Sequence, residues 1–250
     1  MSTLFISDLH LSPERPELTE LAVDFLQNTT QDVTSLYILG DLFNTWLGDD
    51  VIPDEFSAFI EQLRQLKQRG VNIFLMVGNR DFMLGQDFAQ RCGAQLLTDP
   101  VVITLHKQQV LLMHGDSLCT DDLAYQRYRR WTRNKLLQWC FLRLPSRFRQ
   151  HISDKIKQKS REQKQHKTAM IMDVNHLAVE QALLDHKVNY LIHGHTHRPS
   201  IHHLTINNHD AYRIVIGDWH DKISYLKCDE NIINLIDHRI PEHQSQLKLS

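Results

Sequence analysis

Apolar residues in the first half of the chain follow two rhythms. Short aliphatic and β-branched runs, Leu4 to Ser7, Leu36 to Leu39, Ile73 to Val77, Val101 to Leu105 and Val110 to Met113, read as buried strands. Between the first two, Leu18, Leu21, Ala22, Phe25 and Leu26 recur at helical spacing. Phe56, Phe59, Ile60, Leu63 and Leu66 repeat that spacing before Gly70 offers a C-terminal stop. Strands alternating with amphipathic helices predict an α/β fold with helices seated on sheet faces.

The strand signal stops at Leu118 and does not return until about Leu184. Over this stretch Tyr125, Tyr128, Trp131, Leu136, Leu137, Trp139, Phe141, Leu142 and Leu144 are interleaved with arginines, and Pro145 breaks the run. This predicts a helical insertion or lid over 118–184, set into a core of 1–117 and 185–240. A helix from Val174 to His186 leads back to a strand at Tyr190 to Ile192. Runs at Arg213 to Ile216, Ile223 to Leu226 and Ile232 to Ile236 predict an antiparallel finish. The last ten residues are polar and are expected to be loosely held.

Composition narrows the class. At 250 residues and 42% hydrophobic content the chain can close one sizeable core carrying an insertion. The start, Met1-Ser2-Thr3 and then Leu4-Phe5-Ile6, lacks the basic and apolar regions of an export signal. No apolar run approaches the ~18 residues of a membrane-spanning helix. Cys92, Cys119, Cys140 and Cys228 form no CxxC pair, which argues against a disulfide framework and a thiolate zinc site and favours a reducing cytosol. Charge is uneven. From Arg127 to Lys167 there are 14 Lys or Arg against Asp154 and Glu162, a net of +12, whereas the rest of the chain carries −14. Such a block is a footprint for an anionic partner, whether phosphate, nucleic acid or membrane surface.

Groups able to bind metal sit directly after the predicted strands. Ser7-Asp8-Leu9-His10 follows the first, Gly40-Asp41 the second and Gly78-Asn79-Arg80-Asp81 the third. His114-Gly115-Asp116 and His193-Gly194-His195-Thr196-His197 follow two later ones. In α/β sheets ligands bind beyond the carboxyl ends of strands, and glycine beside a ligand lets the backbone approach closely. Taken singly each fragment is ordinary, since the chain has 16 histidines and most belong to surface or core. His193, at the strand end itself, fits a supporting role. Together, Asp8, His10, Asp41, Asn79, His114, His195 and His197 exceed the needs of one metal centre. Carboxylate, carboxamide and imidazole suit Mn²⁺, Fe²⁺, Zn²⁺ or Mg²⁺, and a carboxylate such as Asp41 can bridge two ions roughly 3.5 to 4 Å apart.

The order Asp8-x-His10, Gly40-Asp41, Gly78-Asn79-Arg80-Asp81, His114 and Gly194-His195-x-His197 resembles the calcineurin-like metallophosphoesterase superfamily. The resemblance implies two β-sheets sandwiched between helices and a dimetal hydrolase. It assigns Asp8, His10, Asp41 and His197 to one ion, and Asp41, Asn79, His114 and His195 to the other. Two positions depart from the common pattern. Arg80 stands where many members have His after Gly-Asn, and Asn44 stands where many have a second Asp. Arg80 removes the usual general acid but supplies a permanently charged, multidentate donor for a phosphate oxygen, which favours a good leaving group.

Arg80, the segment from Gly40 to Asp50 and the helical insertion after His114-Gly115-Asp116 are most similar to one branch of that superfamily, which acts in lipid A biosynthesis. The resemblance implies hydrolysis of a lipid-linked nucleotide, UDP-2,3-diacylglucosamine, to UMP and 2,3-diacylglucosamine 1-phosphate by water attack on the α-phosphorus, with Mn²⁺. It places Asn79, Arg80 and His195 in catalysis, and adds Asp122, Ser160, Lys164 and Lys167 as substrate contacts. In the insertion, Trp131, Leu136, Leu137, Trp139, Phe141 and Leu142 beside Arg129, Arg130, Arg133 and Lys135 could form a greasy groove with cationic walls. The same pattern suits an anionic membrane face, here the cytoplasmic face of the inner membrane. A monomer without nucleic acid is expected. Two other readings stay open: a metallophosphoesterase of soluble phosphodiesters or nucleotides, and a basic membrane- or nucleic-acid-binding protein with a vestigial metal site.

Overall fold

The structure, a computed structural model, describes residues 2–28, 32–164, 173–239 and 245–249, with the backbone alone for 159–164. In chain order the elements are β1 (Ser2–Ile6), α1 (Pro16–Asn28), β2 (Val33–Leu39), α2 (Ser57–Gln68), β3 (Asn72–Met76), α3 (Gln86–Arg91) and β4 (Gln95–Leu96). Then come β5 (Val101–Leu105), β6 (Gln108–Leu112), α4 (Leu123–Thr132), α5 (Lys135–Leu142), α6 (Ser146–Lys164) and α7 (His176–His186). The chain finishes with β7 (Tyr190–His193), β8 (Ser200–Ile206), β9 (His209–Val215), β10 (Ser224–Asp229), β11 (Ile232–Asp237) and β12 (Ser245–Lys248).

Neighbouring residues of the central strands serve different layers, because side chains alternate across a sheet. Leu4 and Ile6 of β1, with Leu36, Ile38, Ile73 and Leu75, pack against Leu18, Ala22, Phe25, Phe59 and Leu63 of α1 and α2. Phe5, between them, joins Leu226 and Leu235 against Val110, Leu112, Ile192 and Ile214 of a second sheet. On that sheet's far side Leu111, Leu191 and Ala211 meet Val179 and Leu183 of α7. The order helix, sheet, sheet, helix is therefore written in the period-two alternation of four strands.

The first sheet runs β12-β11-β10-β1-β2-β3-β4 and the second β5-β6-β7-β9-β8. Strands β1 to β4 are parallel, as are β6, β7 and β9. Both parallel sets end at the same edge, which brings the five ligand-bearing turns together. The expected antiparallel finish is present in β10 and β11, which pair antiparallel beside β1, whereas its first run, Arg213 to Ile216, falls in β9 of the second sheet, parallel to β7 and antiparallel to β8. The expectation of a loosely held C-terminus is corrected for 245–249, while the rest of the last ten residues lie outside the described ones. Leu247 pairs with Ile233 in β12, and Leu249 is buried in the inter-sheet core. Two leucines alternating with polar residues over four positions are too short a signal to read as a strand. Strands β4 and β8 were also not anticipated. β4 has two residues, and β8 is a half-exposed edge interrupted by His202 and His203.

Between β6 and α7 the packing logic inverts. No side chain of α4 or α5 is buried, and from 123 to 158 the one buried side chain is Arg149. Trp131 is 72%, Leu136 68% and Trp139 54% exposed. Among the described residues no helix is long and apolar enough to cross a membrane.

An aromatic cluster supports the turn after β2. Phe43 is fully buried, with ring centroids 4.4 Å from Trp46, 4.5 Å from Phe56 and 5.3 Å from Phe88. Truncation there leaves a cavity beneath the Asp41 turn. Phe43→Ala is expected to lower the unfolding free energy by about 3–5 kcal/mol, read from guanidinium denaturation. An unchanged midpoint would show that the cluster does not support the turn.

Candidate metal centre

The turns after the strands are laced together through the backbone. Asp8 N–H donates to Gly40 O (3.1 Å), His10 N–H to Asp41 O (3.0 Å) and Leu11 N–H to Leu42 O (2.9 Å), while Asn44 N–H returns to Leu11 O (3.0 Å). Gly194 N–H reaches His114 O at 3.0 Å, and Trp219 N–H reaches Asp8 O at 3.0 Å. This lacing holds Asp8, His10, Asp41, His195 and His197 at φ between 50° and 66°, the left-handed region that residues with a Cβ rarely adopt. Such conformations cost of order 1–3 kcal/mol each and persist only where the surroundings over-determine them. Close approach excludes side chains from two glycines. A Cβ on Gly78 would strike the Asp41 carboxylate, and one on Gly194 would strike Ser7 Oγ and the Asp8 carboxylate.

Asp8 sits at the middle. Its Oδ2 accepts from Ser7 Oγ (2.6 Å) and from His195 N–H (2.8 Å), which joins the two sheets. Its Oδ1, fully buried and without a hydrogen-bond donor, lies 3.3 Å from His197 Nε2 and 3.8 Å from His10 Nε2. The two imidazoles meet with Nε2 atoms 3.3 Å apart. On the other side Asp41 Oδ1 lies 3.7 Å from His114 Nε2, and Asp41 Oδ2 lies 3.9 Å from His10 Nδ1. Asn79 Oδ1 stands 3.0 Å from His114 Nε2. Two groups of donors thus fall within 4.8 Å of one another: Asp8, His10 and His197, and Asp8, Asp41 and His114. Hard oxygen and borderline nitrogen donors, with a buried carboxylate oxygen facing imidazole nitrogens, fit divalent cations. The His195 ring lies beside the second group, 5.1 Å from that of His114, and its backbone rather than its ring contacts Asp8.

Charges alternate through the cluster. Burial opposes ionisation of Asp8, but contact with His197 and the nearby His114 and His10 hold its pKa below the carboxylate range. Burial, reinforced by the charges of Asp8 and Asp81, lifts Asp41 to about 7. Burial would also discharge His114 and His197. It is outweighed by Asp41, Asp8 and Asp116 at His114, which stands at about 9, and by Asp218 and Asp8 at His197, which stands at about 10. Burial prevails at His10, lowered to about 4, and at His195, lowered to about 3.

Surrounding groups fix the ring orientations. His114 Nδ1 faces Leu39 O at 2.9 Å, leaving Nε2 toward Asp41 and Asn79. Asp81 accepts from Gly78 N–H (2.7 Å), Leu42 N–H (2.7 Å) and Phe43 N–H (3.3 Å), so one buried carboxylate clamps the turns after β2 and β3. Asp116 accepts from Tyr125 Oη–H (2.7 Å) and Arg129 Nε–H (2.9 Å). His193 is buried, with Nδ1 2.9 Å from Gly194 O. Asp218, not singled out in the sequence, lies 3.3 Å from His197 Nδ1. A signal for it existed: Gly217-Asp218 follows β9 in the same strand-Gly-Asp pattern as Gly40-Asp41.

Of the remaining sequence candidates, Arg80 is exposed, and its N–H donates to Asp41 Oδ1 at 2.7 Å. Asp122 caps α4 by accepting from Tyr125 N–H at 3.0 Å. Ser160 and Lys164 lie on α6 where only the backbone is described, and Lys167 lies outside the described residues. The cationic walls of the expected groove are corrected in part. Arg129 turns inward to Asp116, and Arg133 Nη2 donates to Gly78 O at 3.0 Å, because the buried Asp116 and the carbonyl after β3 require partners.

The sequence profile of the calcineurin-like phosphoesterases matches residues 1–199. The chain belongs to that family and is a metal-dependent hydrolase. Relatives named UDP-2,3-diacylglucosamine hydrolase narrow the class. Those of Serratia proteamaculans, Histophilus somni and Nitrosococcus oceani are 45%, 49% and 46% identical over 94%, 92% and 97% of this chain, and 97–98% of each relative is covered. Two solved Vps29 structures align distantly, from Cryptosporidium parvum at TM-score 0.49 and 14% identity, covering 99% of this chain and 98% of that one, and from Entamoeba histolytica at 0.47 and 13%, covering 99% of both. The assignment therefore rests on sequence.

Metal uptake should depend on pH in a definite direction. Neighbouring carboxylates hold His114 and His197 above the ordinary imidazole range, at about 9 and about 10, and an imidazole must be neutral to ligate, so with these rings as ligands apparent Mn²⁺ affinity should rise with pH toward 9–10. Calorimetric titration of metal-free protein in buffers of different ionisation enthalpy should report about two protons released. Identical heats in all buffers would show that binding releases no proton, so that the two rings are not charged ligands in the metal-free protein.

Proposed function

We propose that the chain hydrolyses the pyrophosphate of UDP-2,3-diacylglucosamine, giving UMP and 2,3-diacylglucosamine 1-phosphate by attack of water on the α-phosphorus. The observation that carries this reading is the reach of the likeness: relatives bearing that activity in their names match 92–97% of the chain, the cap helices included. Two divalent ions, proposed to be Mn²⁺, would supply Lewis acidity and activate water. Asp8, His10, Asp41 and His197 are proposed to hold one, and Asp41, Asn79, His114 and His195 the other. The two oxygens of Asp41, turned toward different groups, support its bridging role.

Arg80 is proposed to meet the non-bridging phosphate oxygens, with Asn79 and His195 sharing the charge that grows on phosphorus. Its backbone is pinned to Asp41 while its side chain is exposed. A sugar 1-phosphate leaves as a fairly weak base, so no dedicated acid is required in place of the missing histidine. Asp122, Ser160, Lys164 and Lys167 are proposed as further substrate contacts.

The proposed division keeps 1–117 and 185–240 as core and 118–184 as insertion. Within the insertion α4 to α6 expose Trp131, Leu136, Trp139 and Phe148, while α7 is seated on the second sheet. Outward apolar side chains in a basic segment suit two acyl chains and an anionic bilayer surface, and the chain is proposed to act as a monomer, peripherally on the cytoplasmic face of the inner membrane.

The test is a substrate panel. Mn²⁺-loaded protein should release UMP from UDP-2,3-diacylglucosamine but not from the monoacyl analogue, and no phosphate from a simple phosphomonoester. Phosphate from the monoester without UMP from the lipid would overturn the reading. Arg80→Ala should lower kcat by about 10²-fold or more while Mn²⁺ binding is retained. Full turnover of that variant would remove Arg80 from catalysis.

A further inference from the structure

Behind His197 runs a series of contacts that none of the ligand motifs contains. His197 Nδ1 lies 3.3 Å from Asp218 Oδ2, and its opposite nitrogen, Nε2, lies 3.3 Å from Asp8 Oδ1. An imidazole held at one nitrogen has its other nitrogen aimed, and a carboxylate on the first nitrogen also raises the basicity of the second. Asp218 is itself held. Arg239 Nη1 donates to Asp218 Oδ1 at 2.6 Å, and Asp237 grips the same guanidinium at Nε (3.0 Å) and Nη2 (2.7 Å). The adjacent Trp219 is buried, donates its indole N–H to Ser224 O (2.8 Å) and its backbone N–H to Asp8 O (3.0 Å). One three-residue turn after β9 therefore holds both Asp8 and His197.

We propose that Asp218 is a positioning residue for the group Asp8, His10 and His197: it keeps the His197 ring with Nδ1–H toward itself and Nε2 toward Asp8 and a cation. Arg239, delivered from the end of β11, fixes the Asp218 carboxylate in that direction. The inference rests on the ligand roles proposed above. The rival role is purely structural, with Asp218 serving only to neutralise Arg239. In that case its loss would lower thermal stability and leave metal affinity alone.

The experiment is a titration of Mn²⁺ alone into metal-free wild type, Asp218→Ala and Asp218→Asn, followed by calorimetry and by the electron paramagnetic resonance of free Mn²⁺. Metal-free melting temperatures are recorded in parallel. Asp218→Ala should weaken one of the two ions by about 10- to 100-fold and leave the other unchanged. Asp218→Asn, which keeps an acceptor for Nδ1–H but not the charge, should recover part of that loss. If Asp218→Ala fails to melt cooperatively, Asp218→Asn carries the test, with a several-fold loss at one ion expected. Wild-type affinity at both ions in whichever variant folds overturns the proposal. Absence of Mn²⁺ binding in the wild type overturns instead the ligand roles on which it rests.

Discussion

An ionised carboxylate taken out of water must be surrounded by donors or cations, at a cost of several kcal/mol if it is not. Asp8, Asp41, Asp81 and Asp116 are all buried at one seam between the sheets. Each is answered differently. Asp81 is met by backbone N–H groups of the turns after β2 and β3, and Asp116 by Tyr125 and Arg129. Asp8 and Asp41 keep oxygen atoms turned toward imidazoles. The two carboxylates that bind the frame thus leave two others free to face the chemistry, and the paths of the turns follow from that division.

The same demand governs how the helices α4 to α6 are attached. A helical segment that buries almost no apolar side chain is fixed chiefly by polar contacts, ion pairs and hydrogen bonds together. Arg129 of α4 and Arg133 just beyond it reach inward, and Arg149 pairs with Asp50 and donates to Leu47 O (2.6 Å). The segment's inward contacts are therefore largely polar, while Trp131, Leu136, Trp139 and Phe148 stand exposed among basic side chains, unlike an ordinary surface helix whose apolar face turns to the core.

Much of this was legible in the sequence because the ligands sit next to strands and glycines mark the turns. The α/β class, the two helices α1 and α2, the antiparallel finish and the convergence of Asp8, Asp41, Asn79, His114 and His197 followed from period and spacing. What escaped depended on partners distant in the chain. Arg149 is an unremarkable member of a basic run until Asp50, 99 residues away, pairs with it as the one buried residue among the described side chains of α6. Arg129 and Arg133 looked available to substrate until a carboxylate and a carbonyl were placed beneath them. Asp218 carried a readable signal, a glycine-aspartate after a strand, but without a histidine nearby in sequence it had no apparent purpose.

Five of the seven candidate ligands stand on left-handed backbone that only the lacing between turns sustains. Their side-chain geometry is consequently not a property of the short motifs that carry them. A peptide containing Asp8-x-His10 or His195-x-His197, or another scaffold given those residues at matched spacing, would relax to right-handed or extended backbone and aim the same groups elsewhere. The transplantable unit is the set of turns with Gly78 and Gly194 intact, so the smallest fragment able to bind metal this way is close to the whole double sheet.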